Sequence, residues 1–171
     1  MTGWWRQNAV ALGALALLVP ALGATVVWNE WSQSSAGALD APVVVEPGDD
    51  APYGDALLGP AEAEFIDDPL APPDAQVLRV RIAVEPGDPG FGCGEPVLRE
   101  LDGAQREWLA DTDELSTDWD PQFPGSCPSD ATAPYTLDAR WVLPLDATGP
   151  FAVDVVSFEL APENLRFVVE P

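Results

Sequence analysis

Residues 7–29, QNAVALGALALLVPALGATVVWN, contain no charged side chain, and this apolar run constrains the fold more than any other feature of the sequence. At about 1.5 Å per residue, a helix of this run would be roughly 35 Å long, which exceeds the ~30 Å hydrocarbon core of a bilayer. Tryptophan side chains favour the membrane–water interface. Two tryptophans stand near each end of the run: Trp4 and Trp5, then Trp28 and Trp31. The sequence therefore predicts a single transmembrane helix, with residues 7–31 as the anchor.

The charges on either side of this run predict its orientation. Arg6 and the amino terminus precede it, whereas Glu30 and a long acidic region follow it. Because positive charge is retained on the cytoplasmic side, we expect residues 1–6 in the cytoplasm and everything after Trp31 outside. A cleavable signal peptide is the alternative, with Ala21-Leu22-Gly23 as a small-x-small cleavage site. Apolar residues continue for five positions past that site, which favours an uncleaved signal anchor.

The chain beyond the anchor is strongly acidic. All 29 acidic residues lie at or after Glu30 together with six of the seven arginines, so this part carries 6 − 29 = −23 charges. Such a charge repels nucleic acid and anionic lipid headgroups, and we exclude nucleic-acid binding. The chain has neither histidine nor lysine, so it has no Ser-His-Asp triad, no imidazole metal site and no lysine nucleophile. We predict that the protein is not an enzyme and has no catalytic residue, cofactor or metal site.

One acidic segment keeps a metal-dependent alternative open. Its carboxylates are closely spaced, a pattern that suits Ca²⁺ with its six to eight oxygen ligands. They belong to Asp111, Asp113, Glu114, Asp118 and Asp120. The order of an EF-hand loop is broken, because a leucine takes a ligand position and a serine takes the position of the glycine. We interpret the segment as a solvated loop. A calcium-assisted or carboxylate-based enzyme or sensor acting on cell-wall material is the alternative function.

Both cysteines, Cys93 and Cys127, follow the predicted anchor. Disulfides form and persist outside the cytoplasm, and the chain offers neither a C-x-x-C pair nor a histidine that would hold a metal with these thiols. We therefore predict a disulfide between Cys93 and Cys127. On the chain-entropy model, this bond would stabilise the fold by about 4 kcal/mol.

The rest of the sequence has the pattern of short β-strands. Residues 32–42 are predicted to form a polar linker, and residues 43–171 the extracytoplasmic domain. In residues 77–85, VLRVRIAVE, apolar and polar side chains alternate, which indicates a half-buried strand of an antiparallel sheet. The same alternation returns in residues 135–143. Turn sequences recur about every ten residues, which is typical of an all-β sandwich or barrel.

Further strands are expected at 43–46, 61–66, 97–101, 105–109, 151–160 and 165–169. The strands at 97–101 and 105–109 are expected to form a hairpin around the Asp102-Gly103 turn. The acidic stretch 40–74 is interpreted as a solvated face or partly ordered loop, with 61–66 as an edge strand, and an acidic docking surface is the alternative. Arg79 and Arg81, on the polar side of 77–85, are expected to pair with carboxylates of neighbouring strands. A binding site at these arginines is the alternative.

Two tryptophans of the predicted domain, Trp108 and Trp141, are interpreted as core or boundary side chains. A platform that stacks an aromatic ligand is the alternative for both.

Several features in chain order resemble one known family. They are the strand 77–85, Cys93, the Asp102-Gly103 turn leading to Arg106 and Trp108, Cys127, Pro134 and the strand end Trp141-Val142-Leu143-Pro144. This order resembles the telokin-like, immunoglobulin-fold extracytoplasmic domains on anchored or lipid-attached proteins of Gram-positive, high-GC bacteria. The resemblance covers about residues 75–170. It departs from the family at Ala104 and Gln105, because members often place the basic residue directly after the glycine.

The resemblance implies an immunoglobulin-like antiparallel β-sandwich on the outer side of the membrane, and it transfers no catalytic residue. Together with the anchor, it predicts a single-pass protein of the cell membrane. Its acidic domain would mediate protein–protein or cell-envelope interactions, with an envelope or membrane protein as the partner.

Overall fold

The computed structural model describes residues 3–36, 41–87, 92–110, 115, 123–161 and 163–171. The chain divides into two compact units, Met1–Ala38 and Leu39–Pro171. In the first unit, helix α1 spans Gly3–Ala36. Its segment Gln7–Trp28 has a mean hydropathy of 2.3 and is not buried in the protein. By length and composition, this segment is able to cross a membrane.

Helix α1 is longer than the predicted anchor at both ends. It begins at Gly3 and continues to Ala36, so residues 32–36 of the predicted linker are helical. Serine, glutamine and alanine are tolerated in helices, and each residue added to an existing helix gains a hydrogen bond without a new nucleation step. A polar composition therefore does not end the helix at Trp31. Residues 37–40 of the linker lie outside the described residues.

The second unit has nine strands in its described residues. They are β1 (Val43–Val45), β2 (Ala51–Tyr53), β3 (Ala56–Ile66), β4 (Ala75–Glu85), β5 (Val97–Glu100), β6 (Glu107–Leu109), β7 (Tyr135–Pro144), β8 (Phe151–Val155) and β9 (Leu165–Val169). One sheet has the order β1-β9-β8-β5-β6 and the other β2-β3-β4-β7. The pair β1–β9 is parallel, and the other paired strands are antiparallel. The predicted mainly β architecture is confirmed.

The alternating patterns of β4 and β7 are confirmed by burial. The apolar positions on one face of the two strands are each at most 2 % exposed: Leu78, Val80, Ile82, Val84, Leu137, Ala139, Trp141 and Leu143. The register places Leu78 opposite Trp141 and Val80 opposite Ala139. Burial of each large apolar side chain contributes about 1.5–3 kcal/mol, so this pair of strands supplies a large part of the apolar stabilisation.

The two sheets share a single hydrophobic core, as in a β-sandwich. From the five-stranded sheet, Leu98, Phe151 and Phe167 are each at most 1 % exposed. The Phe151 ring meets the rings of Trp108 and Phe65 edge-on, at centroid distances of 6.3 and 6.5 Å. Since Phe65 lies on β3 and Phe151 on β8, this aromatic contact also connects the two sheets.

The acidic stretch 40–74 contains more regular structure than the sequence predicted. Strands β2 and β3 form a hairpin, and β3 pairs with β4 as far as Ile66. The strand prediction for 61–66 is confirmed, whereas β2 and residues 56–60 of β3 were missed. Pro52 and Pro60 stand inside these strands, and proline within an apolar run argues against a strand.

A bulge at Gly59 explains how β3 accommodates its proline. The register with β4 shifts between Leu58 and Ala61. Gly59 has a φ of +115°, and a Cβ atom at this position would lie 2.6 Å from the carbonyl oxygen of Asp49. The bulge therefore requires glycine both for its backbone conformation and for the close approach of the neighbouring chain.

Strand β8 is shorter than the prediction of 151–160. It ends at Val155, and Ser157 then forms an isolated bridge with Cys93. All five residues of β8 are buried, so hydrophobic periodicity does not mark where it ends. The path beyond it is held by Tyr53, whose hydroxyl donates to the Glu163 carbonyl at 2.6 Å and accepts from the Ser157 N–H at 3.0 Å.

The substitution Tyr53→Phe should lower the free energy of unfolding by about 1–3 kcal/mol, because the buried Ser157 N–H would lose an acceptor. Tyr135→Phe is the matched control. The Tyr135 hydroxyl is buried without a hydrogen-bond partner in the described part of the chain, so we expect a change of no more than about 0.5 kcal/mol. Urea unfolding followed by tryptophan fluorescence measures both variants. Equal losses would contradict the role assigned to Tyr53.

Candidate interaction surface

Every arginine after helix α1 pairs with a carboxylate inside the second unit. Each has a carboxylate oxygen within 4.0 Å: Arg79, Arg81, Arg99, Arg106, Arg140 and Arg166. The prediction of cross-strand pairs is confirmed, because Glu64 lies opposite Arg79 and Glu62 lies opposite Arg81 in the β3–β4 register. These arginines therefore stabilise the fold. Their contacts give no support to the alternative that Arg79 and Arg81 form a binding site.

Asp154 lies between two arginines on the outer face of the five-stranded sheet. Its side chain is only 3 % exposed. It accepts hydrogen bonds from Arg99 Nε at 2.6 Å and from Arg166 Nε and Nη2 at 2.7 and 2.8 Å. Charge-assisted hydrogen bonds of this length are stronger than neutral ones. One buried carboxylate thus engages the guanidinium groups of both neighbouring strands.

Asp138 has the same role on the outer face of the four-stranded sheet. It accepts two hydrogen bonds from Arg79 Nε at 3.0 Å, and Arg140 Nε lies 3.8 Å away. The Asp138 N–H donates to the Pro124 carbonyl, and Arg140 donates to the Leu115 carbonyl. Leu115 and Pro124 therefore lie against this part of β7 and contribute to the burial of a residue on its polar face.

Arg106 connects the β5–β6 turn to the β7–β8 turn. Its guanidinium donates to Glu100 at 2.9 and 3.0 Å and to Asp146 at 2.9 Å, and it lies 5.4 Å from the centre of the Trp108 ring. The hydrogen bonds from Arg106 lower the pKa of Glu100. The carboxylates of Glu100 and Asp146 raise the pKa of Arg106 in return. This ion-pair cluster stabilises one end of the domain.

The substitution Glu100→Gln should weaken the dependence of stability on acid. Since the pKa of Glu100 is lower in the folded state, its contribution is complete above the unfolded pKa of about 4.3 and is lost as the pH falls through the folded pKa. The variant should be less stable than the wild type at pH 7, and the difference should shrink as the pH approaches about 2. Urea unfolding across this pH range measures the effect.

Glu95→Gln is the control for that experiment, because it removes an exposed carboxylate that has no arginine beside it among the described residues. If Glu100→Gln and Glu95→Gln changed the pH profile equally, the pairing with Arg106 would not be the cause.

The paired arginines leave the domain with a large excess of negative charge. Residues 39–171 contain 28 acidic residues, the 29 of the chain less Glu30, and six arginines, so the unit carries 6 − 28 = −22 charges. Each of the six cations has a carboxylate beside it within the fold, and Arg81 is the most exposed of them at 38 %. The charge left for a partner is therefore mainly negative. Electrostatic complementarity then favours a basic partner.

An open cleft lies at one end of the domain, between the β3–β4 connection (residues 67–74) and the β7–β8 turn. Its volume is about 470 Å³, within the range of about 300–1,000 Å³ found for ligand sites. Its side chains are mixed in character: Phe65, Ile66, Val77 and Leu145 are apolar, whereas Asp67, Asp68 and Gln76 are polar. We call this site the β3–β4 cleft.

Polar contacts hold both walls of the β3–β4 cleft. Gln76 Nε2 donates to the carbonyls of Pro144 at 3.2 Å and Ala147 at 2.6 Å, which ties β4 to the β7–β8 turn. On the other wall, Asp68 Oδ1 accepts from the Leu70 N–H at 2.9 Å, and the Asp68 carbonyl accepts from the Ala71 N–H at 3.1 Å. The folded domain thus shapes the cleft without any ligand.

The cleft exposes both apolar and acidic groups. Phe65 is 40 % and Leu145 is 61 % exposed, and the edge contact with Phe151 orients the Phe65 ring. Asp67 is exposed and makes no ion pair with the residues that the structure describes. Asp68 is already engaged, since Arg140 lies 3.7 Å from its carboxylate. The available acidic group at the cleft is therefore Asp67.

The predicted disulfide is present. Cys93 and Cys127 are joined with a Cα–Cα distance of 4.6 Å, and their backbones exchange hydrogen bonds in both directions.

The five acidic residues proposed as calcium ligands, between Asp111 and Asp120, all lie outside the described residues; only Leu115 of that segment is described. Elsewhere in the described ranges, no group of three Cys, Asp or Glu side chains is arranged to hold a metal ion.

The two tryptophans take different places in the domain. Trp141 is 0 % exposed, so it is a core residue and the ligand-platform alternative is wrong for it. Trp108 is half-buried, with Phe151 in a T-shaped contact and Arg106 over its ring. The arginine therefore covers one face of the Trp108 ring.

Comparison with known proteins gives no match to a family model, to a curated protein or to a solved structure.

The β3–β4 cleft was not predicted from the sequence. One signal was available, because eight residues rich in proline, DDPLAPPD, separate β3 from β4. Hairpin loops have about two to five residues, and longer connections often carry function.

Proposed function

We propose that the chain is a single-pass membrane protein whose extracytoplasmic β-domain binds another protein of the membrane or cell envelope, and that it acts by binding rather than by catalysis. One observation carries this proposal. The domain engages all its arginines internally, and it presents a shaped cleft in which exposed apolar side chains adjoin an exposed carboxylate. Such a combination suits recognition of a protein segment, because apolar groups supply affinity and charge supplies specificity.

The location is proposed from the helix and the disulfide. Gln7–Trp28 is apolar, is not buried and ends at Trp28, which is 76 % exposed. Insertion with Arg6 on the cytoplasmic side would place the domain outside the cell membrane. The Cys93–Cys127 disulfide supports this location, since disulfides persist in oxidising compartments.

We also propose that the domain is immunoglobulin-like. In the variable-type immunoglobulin sandwich, strands C′, C, F and G are neighbours in one sheet, and strands B and E are neighbours in the other. The orders β6-β5-β8-β9 and β4-β7 follow the same scheme when β4 is taken as B and β9 as G. Two features differ: the β2–β3 hairpin adjoins β4, and the disulfide does not join β4 to β8.

Site-specific photocrosslinking in cells tests the binding function. A benzophenone amino acid in place of Leu145, in the β3–β4 cleft, should crosslink the full-length chain to a discrete membrane or envelope protein. The same amino acid in place of Phe158 is the matched control. Phe158 is 73 % exposed and packs beside Gly92 and Gly94, away from the cleft. Crosslinks at neither position, or equal crosslinks at both, would contradict a partner at the cleft.

Protease added to intact cells tests the location. We expect it to remove the domain and leave an N-terminal fragment in the membrane fraction. Full protection of the domain would contradict the proposed orientation. A soluble mature protein that begins near Ala24 would show that residues 1–23 act as a cleaved signal peptide.

A further inference from the structure

We infer that the β3–β4 cleft binds a basic peptide segment that carries a large apolar side chain, with the apolar side chain seated against Phe65 and Leu145 and a neighbouring lysine or arginine beside Asp67. This inference rests on the proposed function and specifies the chemistry of the partner. It follows from the size of the cleft, from its exposed groups and from the charge of the domain around it.

The shape of the cleft favours part of a polypeptide over an enclosed small molecule. It is open to solvent between two walls, and Val77 of β4 is among the residues that line it. Its volume of about 470 Å³ accommodates one or two large side chains. The walls are fixed by the Gln76 and Asp68 hydrogen bonds, so a segment that binds here pays little to organise its site.

The apolar contact is supplied by one side chain from β3 and one from the β7–β8 turn. Phe65 lies at the end of β3, and Leu145 directly follows β7. Both are exposed in the free domain, and the Phe65 ring is held edge-on against Phe151. A large apolar side chain placed between Phe65 and Leu145 would cover both of them, which is the arrangement of a binding hot spot.

The charge around the cleft selects the flanks of the partner segment. Asp67 is exposed at the cleft, no arginine is among the cleft's lining residues, and Arg79 and Arg140 of the same sheet are already paired with Asp138. The domain as a whole carries −22 charges. An acidic segment would therefore be repelled at long range and would meet no available guanidinium group at the cleft, whereas a basic segment is attracted at both distances.

The same charge argues against two other occupants. A second copy of the chain would bring a domain of equal negative charge to the cleft, and like charges oppose such an association. An anionic lipid surface is repelled for the same reason. A basic segment of another protein fits both the apolar and the acidic groups.

Peptide binding to the full-length chain in zwitterionic nanodiscs tests this inference, at about 0.15 M ionic strength. Three fluorescein-labelled peptides serve as probes: GRKLFRKG, GRKSSRKG, which lacks the apolar pair, and GEDLFEDG, in which the charges are reversed. Fluorescence anisotropy should show that GRKLFRKG binds at least about tenfold more tightly than either of the other peptides.

Two variants assign this binding to the cleft. Leu145→Ser and Asp67→Arg should each weaken the binding of GRKLFRKG by at least about fivefold, because each removes one of the two proposed contacts. Phe158→Ser and Asp130→Arg are the controls, since they replace an exposed apolar residue by serine and an exposed aspartate by arginine outside the cleft. We expect the controls to bind within about twofold of the wild type. Circular dichroism verifies that all four variants are folded.

Each other result overturns the inference. Equal binding of GRKLFRKG and GRKSSRKG would mean that charge alone attracts the peptide, and equal weakening by cleft and control variants would place the site elsewhere. Absence of measurable binding would also overturn it. A different result would contradict the proposed function: the benzophenone amino acid at position 145 would crosslink to no protein. A crosslinked partner without peptide binding would retain the function and reject this partner chemistry.

Discussion

Replacing both cysteines, in Cys93→Ala/Cys127→Ala, should lower the free energy of unfolding by about 4 kcal/mol and the melting temperature by on the order of 15 °C. The bond closes a sequence separation of 34 residues that includes the β5–β6 hairpin. On the chain-entropy model, a link of this length removes much of the freedom of the unfolded chain. Its loss therefore destabilises the fold even though the folded structure keeps its other contacts.

The surroundings of the disulfide support a stabilising role. Cys93 and Cys127 are 2 % and 6 % exposed and belong to the core cluster. Cys93 also bridges to Ser157, so the bond lies where three segments of the chain meet. The backbone hydrogen bonds between the two cysteines are compatible with the alanine variant. We therefore expect the variant to fold to the same structure with reduced stability.

Urea unfolding of the full-length chain in detergent, with and without a reducing agent, measures this effect. Reductant should destabilise the wild type to about the level of the alanine variant and should leave the variant unchanged. A loss of less than about 1 kcal/mol in the variant would contradict the prediction. So would an equal effect of reductant on both proteins, because the reductant would then act elsewhere.

The strands with clear alternation were predictable because their burial is one-sided. In β4, four apolar residues alternate with Arg79, Arg81 and other positions of the opposite face, and the structure buries all four. The period of two is a direct consequence of strand geometry, so it holds whatever the neighbouring strand is. The Asp102-Gly103 hairpin was predictable for a similar reason, since its turn chemistry is local.

Features that depend on tertiary contacts were not predictable in this way. Alternation places Asp138 on the polar face of β7, but its burial comes with contacts to Arg79 and Pro124, which both lie outside β7. In β3, the close approach of Asp49 and Asp50 requires a glycine at position 59. Neither contact leaves a local pattern.

The cleft shows the same limit. Its walls come from residues 65–77 and from Leu145, which are adjacent only because β4 and β7 pair with Ala75 opposite Pro144. The sequence indicates an unusually long connection after β3, but the position of the second wall requires the register of the sheet. A candidate site whose residues are brought together by the pairing of distant strands therefore cannot be predicted from single segments of the sequence.

Ion pairing between arginines and carboxylates changes what the number of arginines implies about function. The sequence gives six cations against many carboxylates, and counting alone does not say whether those cations are available to a ligand. The structure places Asp154 on the central strand of the five-stranded sheet and Asp138 on the edge strand β7 of the other sheet, each in contact with arginines of its own sheet. Because these pairs occupy the guanidinium groups, the accessible charge is more uniformly negative than the composition alone indicates.

Trp141→Ala should have the largest effect of any single substitution in the core. We expect it to lower the free energy of unfolding by about 3–5 kcal/mol. Trp141 is 0 % exposed and lies opposite Leu78 in the sheet, within the core that both sheets share. Removal of the indole would leave a cavity that the paired strands β4 and β7 have little freedom to close, because backbone hydrogen bonds fix their separation.

Trp141→Phe separates the effect of volume from that of polarity. The Nε1 atom of Trp141 has no hydrogen-bond partner in the described part of the protein, so its burial is unfavourable. Phenylalanine keeps an aromatic ring and removes this group, and we expect a loss of only about 1 kcal/mol. Trp108→Ala, at a half-buried position, should cost less than Trp141→Ala. Urea unfolding followed by far-UV circular dichroism compares the three variants without relying on tryptophan emission. If Trp141→Ala cost no more than Trp108→Ala, the core would not be organised around the contact of β7 with β4.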